Sequence, residues 1–400
     1  MNKKIAPGFN YLNITQFLDA LNENLFKYIV IYFLIFFQGI EKTPLIMSLT
    51  GSIFILPFIL FSSLGGIFAD RWSKTSIIRF TRCIQLIILI AAILTIYFQA
   101  FIMAYFMLFL MSSLSAIFGP SKYGIIPELV TEQGMVKANS YIAAFTFFGI
   151  ILGTSLASFL HIFLDNHFYQ MVAVCLIFTV IGIFCSLLIP SLPALNRKKH
   201  FPYFIYQEIV DSLREMKSIP FMLLAVFAYS YFLFFGAFVQ MNIVPFSIET
   251  LHLTPIAGGY LFVFSAIGIG IGAILASKTS GKLTILPKSC LGISLSCFLF
   301  PFFPHPYWIN ILWLILLGIF GGLFLVPSQV YILSKSPEKN RGRNFGTANF
   351  FSFVFALIAA GYLFLLTSLF RLSASQNFTA TAFVNFLVTA FLYYFLRKYP

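Results

Sequence analysis

Apolar runs of about 20 residues recur along the whole chain, separated by short polar stretches, and a run of that length spans the hydrocarbon layer as a helix. The pattern predicts twelve helices, at residues 11–37, 45–68, 76–98, 101–120, 139–163, 168–189, 220–247, 255–276, 285–303, 307–334, 346–369 and 377–396. The first is the odd one. Successive residues turn by about 100°, so Gln16, Asp19, Glu23 and Lys27 fall within an arc of roughly 80° on one helix face. Taken as one helix from Tyr11 to Phe37, the segment puts Glu23 near mid-bilayer, where a carboxylate facing lipid costs on the order of several kcal/mol. The stripe should therefore face protein or a water-filled cavity. The alternative is a helix that starts near Leu25 and leaves the acids in the headgroup layer.

Composition fixes the class as an all-α membrane protein. Hydrophobic residues make up 60% of 400 positions and charged residues only 9%, which excludes a soluble domain of this size. A net charge of +13 raises the question of nucleic acid, but the distribution of the 25 Lys and Arg residues answers it. With the N-terminus inside, they gather on the inner side: Lys3 and Lys4; Arg71, Lys74, Arg79 and Arg82; Lys122 and Lys137; Arg197, Lys198, Lys199, Arg214 and Lys217; Lys278, Lys282 and Lys288; Lys335, Lys339, Arg341 and Arg343; Arg397 and Lys398. Only Lys42 and Arg371 fall outside, with Lys27 in the bilayer. The positive-inside rule then puts both termini in the cytoplasm of a multi-pass inner-membrane protein, and no nucleic acid partner is needed. The five cysteines lie inside predicted helices without metal or paired-loop spacing, and His161, His167, His200, His252 and His305 are scattered singly. No metal site and no cofactor are expected. The charged stripe also interrupts any short signal-peptide core, so the first helix is expected to be retained.

The chain also repeats itself. Gly119-Pro120-Ser121-Lys122 ends the fourth helix and Val326-Pro327-Ser328-Gln329 the tenth, and the helices that follow open with Ala138-Asn139 and Ala348-Asn349. These echoes lie about half a chain apart, as a parallel repeat requires. They predict two six-helix bundles, 1–189 and 220–400, in pseudo-symmetric halves. Between them, 190–219 is a cytoplasmic linker whose Ile205, Ile209, Leu213 and Met216 share one face, suited to lie on the inner leaflet or to serve as a plain tether. Gly149 and Gly153 form a small-xxx-small pair for helix packing, and Pro57, Pro120, Pro245 and Pro327 mark kinks or helix ends.

Gly66, Asp70, Arg71, Ser73 and Lys74 resemble the loop between helices two and three of the major facilitator superfamily, and the half-repeat fits that fold. The resemblance implies a cytoplasmic latch between the halves. The echo at Gly272 to Lys278 keeps the glycine and a base but has Ala276 in place of the acid, so any second latch is weaker. Glu128, Arg341 and Arg343 complete the expected gating set.

Two local runs are more specific. Gln16-Phe17-Leu18-Asp19-Ala20-Leu21-Asn22-Glu23-Asn24-Leu25-Phe26-Lys27 resembles the opening signature of the lysophospholipid transporter family and of related membrane domains fused to lysophospholipid acyltransferases, with Glu23 for the usual aspartate. Gly119 to Val130 and Val136-Lys137-Ala138-Asn139 resemble the same family's second run. The resemblance implies inward movement of lysophospholipid, chiefly the ethanolamine and glycerol forms, between leaflets by alternating access, for re-acylation by a separate acyltransferase. It implies no enzymatic activity in this chain, and the chain is expected to act as a monomer among membrane lipids. For such a headgroup, Glu23 and Asp19 would pair the ammonium and Lys122 and Lys27 the phosphate, with Asn24 and Gln240 in the binding set. Mutual pairing of Glu23 and Lys27 at i,i+4 is the competing use of those charges. Helix seven offers Gln240 and Asn242 where some relatives carry arginine.

Two other classes are weighed. A proton-coupled drug exporter of the same superfamily is disfavoured because helix four has no charge before Lys122 and helix five lacks a Gly-Pro pair. A membrane-bound acyltransferase would need a His-x-x-x-x-Asp pair, and His161 to Asp165 is one residue short.

Overall fold

The computed structural model describes residues 7–194, 205–253, 255–279, 282–302 and 307–397. Lys3, Lys4, Arg197, Lys198, Lys199, His200, His305 and Lys398 lie outside the described residues. Twelve long helices follow in order: α1 (Pro7–Gln38), α2 (Thr43–Arg71), α3 (Lys74–Tyr97), α4 (Phe101–Gly124), α5 (Met135–Phe163), α6 (Phe168–Leu187), α7 (Met222–Glu249), α8 (Pro255–Ala276), α9 (Leu286–Leu299), α10 (Tyr307–Lys335), α11 (Arg341–Phe364) and α12 (Ala374–Leu396). No strand occurs among the described residues. Among the described residues, eleven segments are long and apolar enough to cross a membrane, and the shorter apolar helix Tyr260–Ala276 makes the twelfth of the series. Pro57, Pro120, Pro245 and Pro327 all sit inside helices, so none of them marks an end.

The helices are apolar on nearly every side, and the side chains sort by partner rather than by polarity. On α3, Phe80, Ile87 and Leu94, spaced by seven, are more than half exposed, the stripe expected to meet lipid. The opposite stripe, Ile78, Arg82, Gln85, Leu89, Ala92 and Ile96, is buried. Two charged or polar residues therefore lie on the protein-facing side of a membrane helix, as the cost of exposing them to hydrocarbon demands.

The chain divides into two compact units. The first holds residues 1–134, 148–218 and 336–350. Its core is a cluster of Leu25, Ile29 and Phe33 from α1, Leu89 from α3, Leu108 and Met111 from α4, and Met171 and Val172 from α6. Apolar cores give no hydrophobic drive within lipid, so close packing of backbones matters more. A Cβ on Gly153 of α5 would stand 2.2 Å from the Leu21 carbonyl oxygen of α1, and one on Gly149 would stand 2.8 Å from that of Phe17. The small-xxx-small pair is thus the seam between α1 and α5.

The second unit holds residues 135–147, 219–335 and 351–400. Its seam is α8 on α10, where a Cβ on Gly272 would stand 2.0 Å from the Ile319 carbonyl oxygen. Phe246, Phe300 and Phe378 stack nearby, with ring centroids 4.4 and 4.9 Å apart along the series. Asn242 donates to the Ala374 carbonyl at 2.8 Å and accepts from Asn377 at 3.0 Å, tying α7 to α12.

Among the described residues of the linker segment, one helix forms, Ile205–Ser218. Its face carrying Glu208, Ile209, Ser212 and Met216 is buried against the first unit. The reading of that face as a lipid-leaflet anchor is therefore corrected: the buried Ser212 donates to Asn344 Oδ1 at 2.9 Å, so the helix is docked on protein.

Candidate functional site

α1 runs unbroken from Pro7 to Gln38, and its membrane-length segment begins at Gly8. The polar stripe therefore lies within the spanning helix, not ahead of it. Asp19 is buried and forms an ion pair with Arg82 of α3, which is 2% exposed. The same Arg82 Nη1 donates to Gln85 Oε1 at 2.6 Å. The guanidinium lies 4.7 Å from the Phe118 ring centroid on α4, and Lys122 Nζ lies 5.6 Å from that same ring and 4.8 Å from that of Tyr123. Cations held on aromatic faces lose less on leaving water than bare ones do.

Glu23, one turn beyond Asp19, is half-buried. The Ser115 hydroxyl of α4 hydrogen-bonds its carboxylate, and Asp19, Lys122 and Arg82 lie near enough to act on its charge. One carboxylate oxygen, Oε1, is buried without a hydrogen-bond partner. Lys27 sits over the Phe54 ring at 4.5 Å, and Glu23 lies near enough to act on its charge without a direct salt bridge between them. Asn24 donates to the Ala20 carbonyl of its own helix at 2.8 Å. Asn22 donates to Thr179 at 2.7 Å and to the Cys175 carbonyl at 3.1 Å, tying α1 to α6. Of the expected binding set, Asp19, Glu23 and Lys122 come together around α1, α3 and α4. Gln240 belongs to the second unit and is exposed on α7.

A second polar cluster closes one end of the first unit. Asp70, at the end of α2, accepts from the backbone N–H of Gly342 at 2.7 Å and of Arg343 at 2.9 Å. These are orphan donors at the start of α11, and a carboxylate there also meets the positive end of the helix dipole. Gly66 makes the approach possible, since a Cβ on it would stand 2.5 Å from the Gly342 carbonyl oxygen. Lys74 is buried and pairs with Glu128 at 2.7 Å, and Arg341 is buried with Glu338, Glu128 and Asp70 close enough to act on its charge. Arg71 is half-buried at the last turn of α2. Arg343 reaches past Asp70 to the linker helix, where it pairs with Glu215 and lies 3.7 Å from Glu208. Asn340 also donates to Glu215, at 2.8 Å. Of the residues expected to gate, Asp70, Lys74, Glu128, Arg341 and Arg343 therefore form one charge-alternating network, and Glu208 and Glu215 belong to it although the sequence analysis does not name them.

Arg82, Gln85 and Ser115 are the other omissions. The sequence places Arg82 in the third helix among the inner-side bases, and in the structure it lies on the buried face of α3. The orientation argument then rests on the remaining bases. Glu249, the last residue of α7, accepts from the Ala374 N–H at 2.9 Å at the start of α12.

Residues 12–361 match the model of the Major Facilitator Superfamily. The chain belongs to that superfamily. It is accordingly a transporter and not an enzyme. Among curated relatives, the transporter is 27% identical over 358 residues to the lysophospholipid transporter LplT of Photorhabdus laumondii, covering 86% of this chain and 84% of that protein. It is 28% identical over 350 residues to LplT of Escherichia fergusonii, covering 84% and 82%. The fold matches the human organic anion transporter MFSD10 with a TM-score of 0.79 at 14% identity, covering 96% of this chain and 99% of that one. It matches a bacterial homologue of the iron transporter ferroportin in an outward-facing state with a TM-score of 0.74 at 13% identity, covering 98% of each chain.

Proposed function

We propose that this transporter carries lysophospholipid, in its ethanolamine and glycerol forms, from the outer to the inner leaflet of the bacterial inner membrane. The name shared by the relatives supports the substrate class, since they match over more than four-fifths of both chains. The observation that carries the reading is the cluster of Glu23 and Lys122 in the first unit, an acid and a base inside membrane helices with no direct ion pair between them. A phosphodiester beside an ammonium or a diol offers a partner to each. Lys27, Asn24 and Gln240 extend the binding set, while a single acyl chain needs only apolar surface.

Alternating access works through the two six-helix halves, 1–189 and 220–400, joined by the linker 190–219. The network of Gly66, Asp70, Arg71, Lys74, Glu128, Arg341 and Arg343 is the cytoplasmic latch, with both termini on its side by the positive-inside rule. The product is consumed by a separate inner-leaflet acyltransferase, and the transporter acts as a monomer. The test is uptake of labelled lysophosphatidylethanolamine, with dye efflux in parallel, for wild type, Glu23→Gln and Lys122→Met. Loss of lysolipid uptake in both variants supports the reading. Full uptake in both removes the headgroup assignment, and dye efflux without lysolipid uptake by the wild type replaces the substrate class.

A further inference from the structure

Among the described residues, the hydrogen bonds of the Arg82 guanidinium run from Nη1. Nη1 serves both Asp19 and Gln85, while Nε is buried and has no hydrogen-bond partner. Nε and Nη2 make up the side-on edge of an arginine, the edge whose two parallel N–H groups match two oxygens of a phosphate. One turn along α1 from Asp19, about 6 Å by helix rise, Glu23 offers the complementary orphan, a buried oxygen that receives no hydrogen bond. Proteins leave few buried polar groups unmatched, and here a donor edge and an acceptor lie in one cluster within α1, α3 and α4.

We propose that Arg82 is the phosphate receiver of the headgroup site. The phosphodiester docks on the Nε edge of Arg82, and the ammonium of an ethanolamine headgroup, or a hydroxyl of a glycerol one, reaches Glu23 Oε1. Asp19 and Gln85 hold the guanidinium in plane and are positioning residues rather than ligands. Lys122, which shares the Phe118 ring with Arg82, adds charge to the phosphate position without supplying its geometry. The proposal rests on the lysophospholipid reading and moves phosphate recognition from a lysine on α4 to an arginine on α3. It also reassigns Asp19, whose carboxylate is committed to Arg82 and not to the substrate ammonium.

The competing role for the Asp19–Arg82 pair is purely structural, and the test must separate the two. Uptake of lysophosphatidylethanolamine into proteoliposomes is measured for wild type, Arg82→Lys and the charge-free double variant Asp19→Asn/Arg82→Met, each checked for monodispersity in detergent. Soluble glycerophosphoethanolamine serves as a competitor carrying the headgroup alone. Arg82→Lys keeps the charge but loses the fork, so KM for lysolipid should rise about tenfold, the scale of one lost paired contact. Competition by glycerophosphoethanolamine should weaken in parallel. The double variant removes both charges together and should fold, yet fail to be inhibited by the competitor. If the double variant transports with the wild-type KM and is inhibited as wild type is, the pair is structural and the proposal falls while the substrate class stands. If the wild type itself takes up no lysolipid, both fall together.

Discussion

Replacing Asp70 by alanine removes two hydrogen bonds, at 2.7 and 2.9 Å, to the first N–H groups of α11. An N-cap side chain contributes roughly 0.5–2 kcal/mol and its charge at the helix N-terminus about 0.3–1 more. Those N–H groups return to water when α11 swings free, so the net loss is the sum of these terms, roughly 1–3 kcal/mol, and not the gross strength of two ionic hydrogen bonds. That shifts the equilibrium between held and released α11 roughly 5- to 150-fold, at about 1.36 kcal/mol per factor of ten. Asp70→Asn keeps an acceptor and loses only the charge, about 0.3–1 kcal/mol or roughly two- to fivefold. Thr347 is fully buried on α11, so a Thr347→Cys reporter reacts with maleimide only on release. The background replaces exposed Cys83 and half-buried Cys185 by serine. Labelling rates should rank Ala above Asn above the parent, in these proportions. An Asp70→Ala variant that labels at the parent's rate refutes the latch, because the network would then hold without its central acceptor.

Other perturbations follow from the same contacts. Glu215→Ala strips Arg343, Asn340 and Asn344 of their shared acceptor, which costs about 1–2 kcal/mol; trypsin should then cut faster after Arg214 and Lys217, and an unchanged rate would mean that apolar contacts alone dock the linker helix. Gly153→Leu drives a side chain into the Leu21 carbonyl of α1, and the overpacking, typically about 1–3 kcal/mol or more, should lower the melting temperature in detergent, whereas an unaltered temperature would deny the tight α1–α5 seam. Glu249→Ala takes the acceptor from the first N–H of α12 while the Ser373 capping box stays, a loss of about 1 kcal/mol visible as a lower melting temperature with lysolipid KM unmoved; a raised KM would assign Glu249 to substrate instead.

The helices were legible because spanning a membrane leaves one signal, some twenty apolar residues, and every predicted run became a helix. Their ends were less so. α11 begins at Arg341 and not at residue 346, because Asp70 caps a first turn whose polar residues, Arg341 to Asn344, hide it from a hydropathy window. The linker helix shows the same limit from the other side. Its apolar face was visible, but whether such a face meets lipid or protein depends on Ser212 and Glu215, which find partners more than a hundred residues away in Asn344 and Arg343.

The site was half legible, and Arg82 shows why. The stripe on α1 announced that ionised groups lie inside the bilayer, yet periodicity along one helix cannot say which charge on another helix answers them. Glu23 and Lys27 share an arc, which allows a local pair, but Lys27 turns to Phe54 and the acid beside Glu23 is answered from α3. A signal for that partner was present. Phe80, Ile87 and Leu94 define one face of α3, and Arg82 with Gln85 falls opposite them. A base opposite the lipid face is unaffordable unless an acid waits inside, and the chain offers few acids within its apolar runs to choose from. Counting Arg82 among the inner-side bases satisfies the positive-inside rule and so conceals the better inference. A charge within two turns of a helix end can serve either orientation or a buried pair, and only the face it occupies tells them apart.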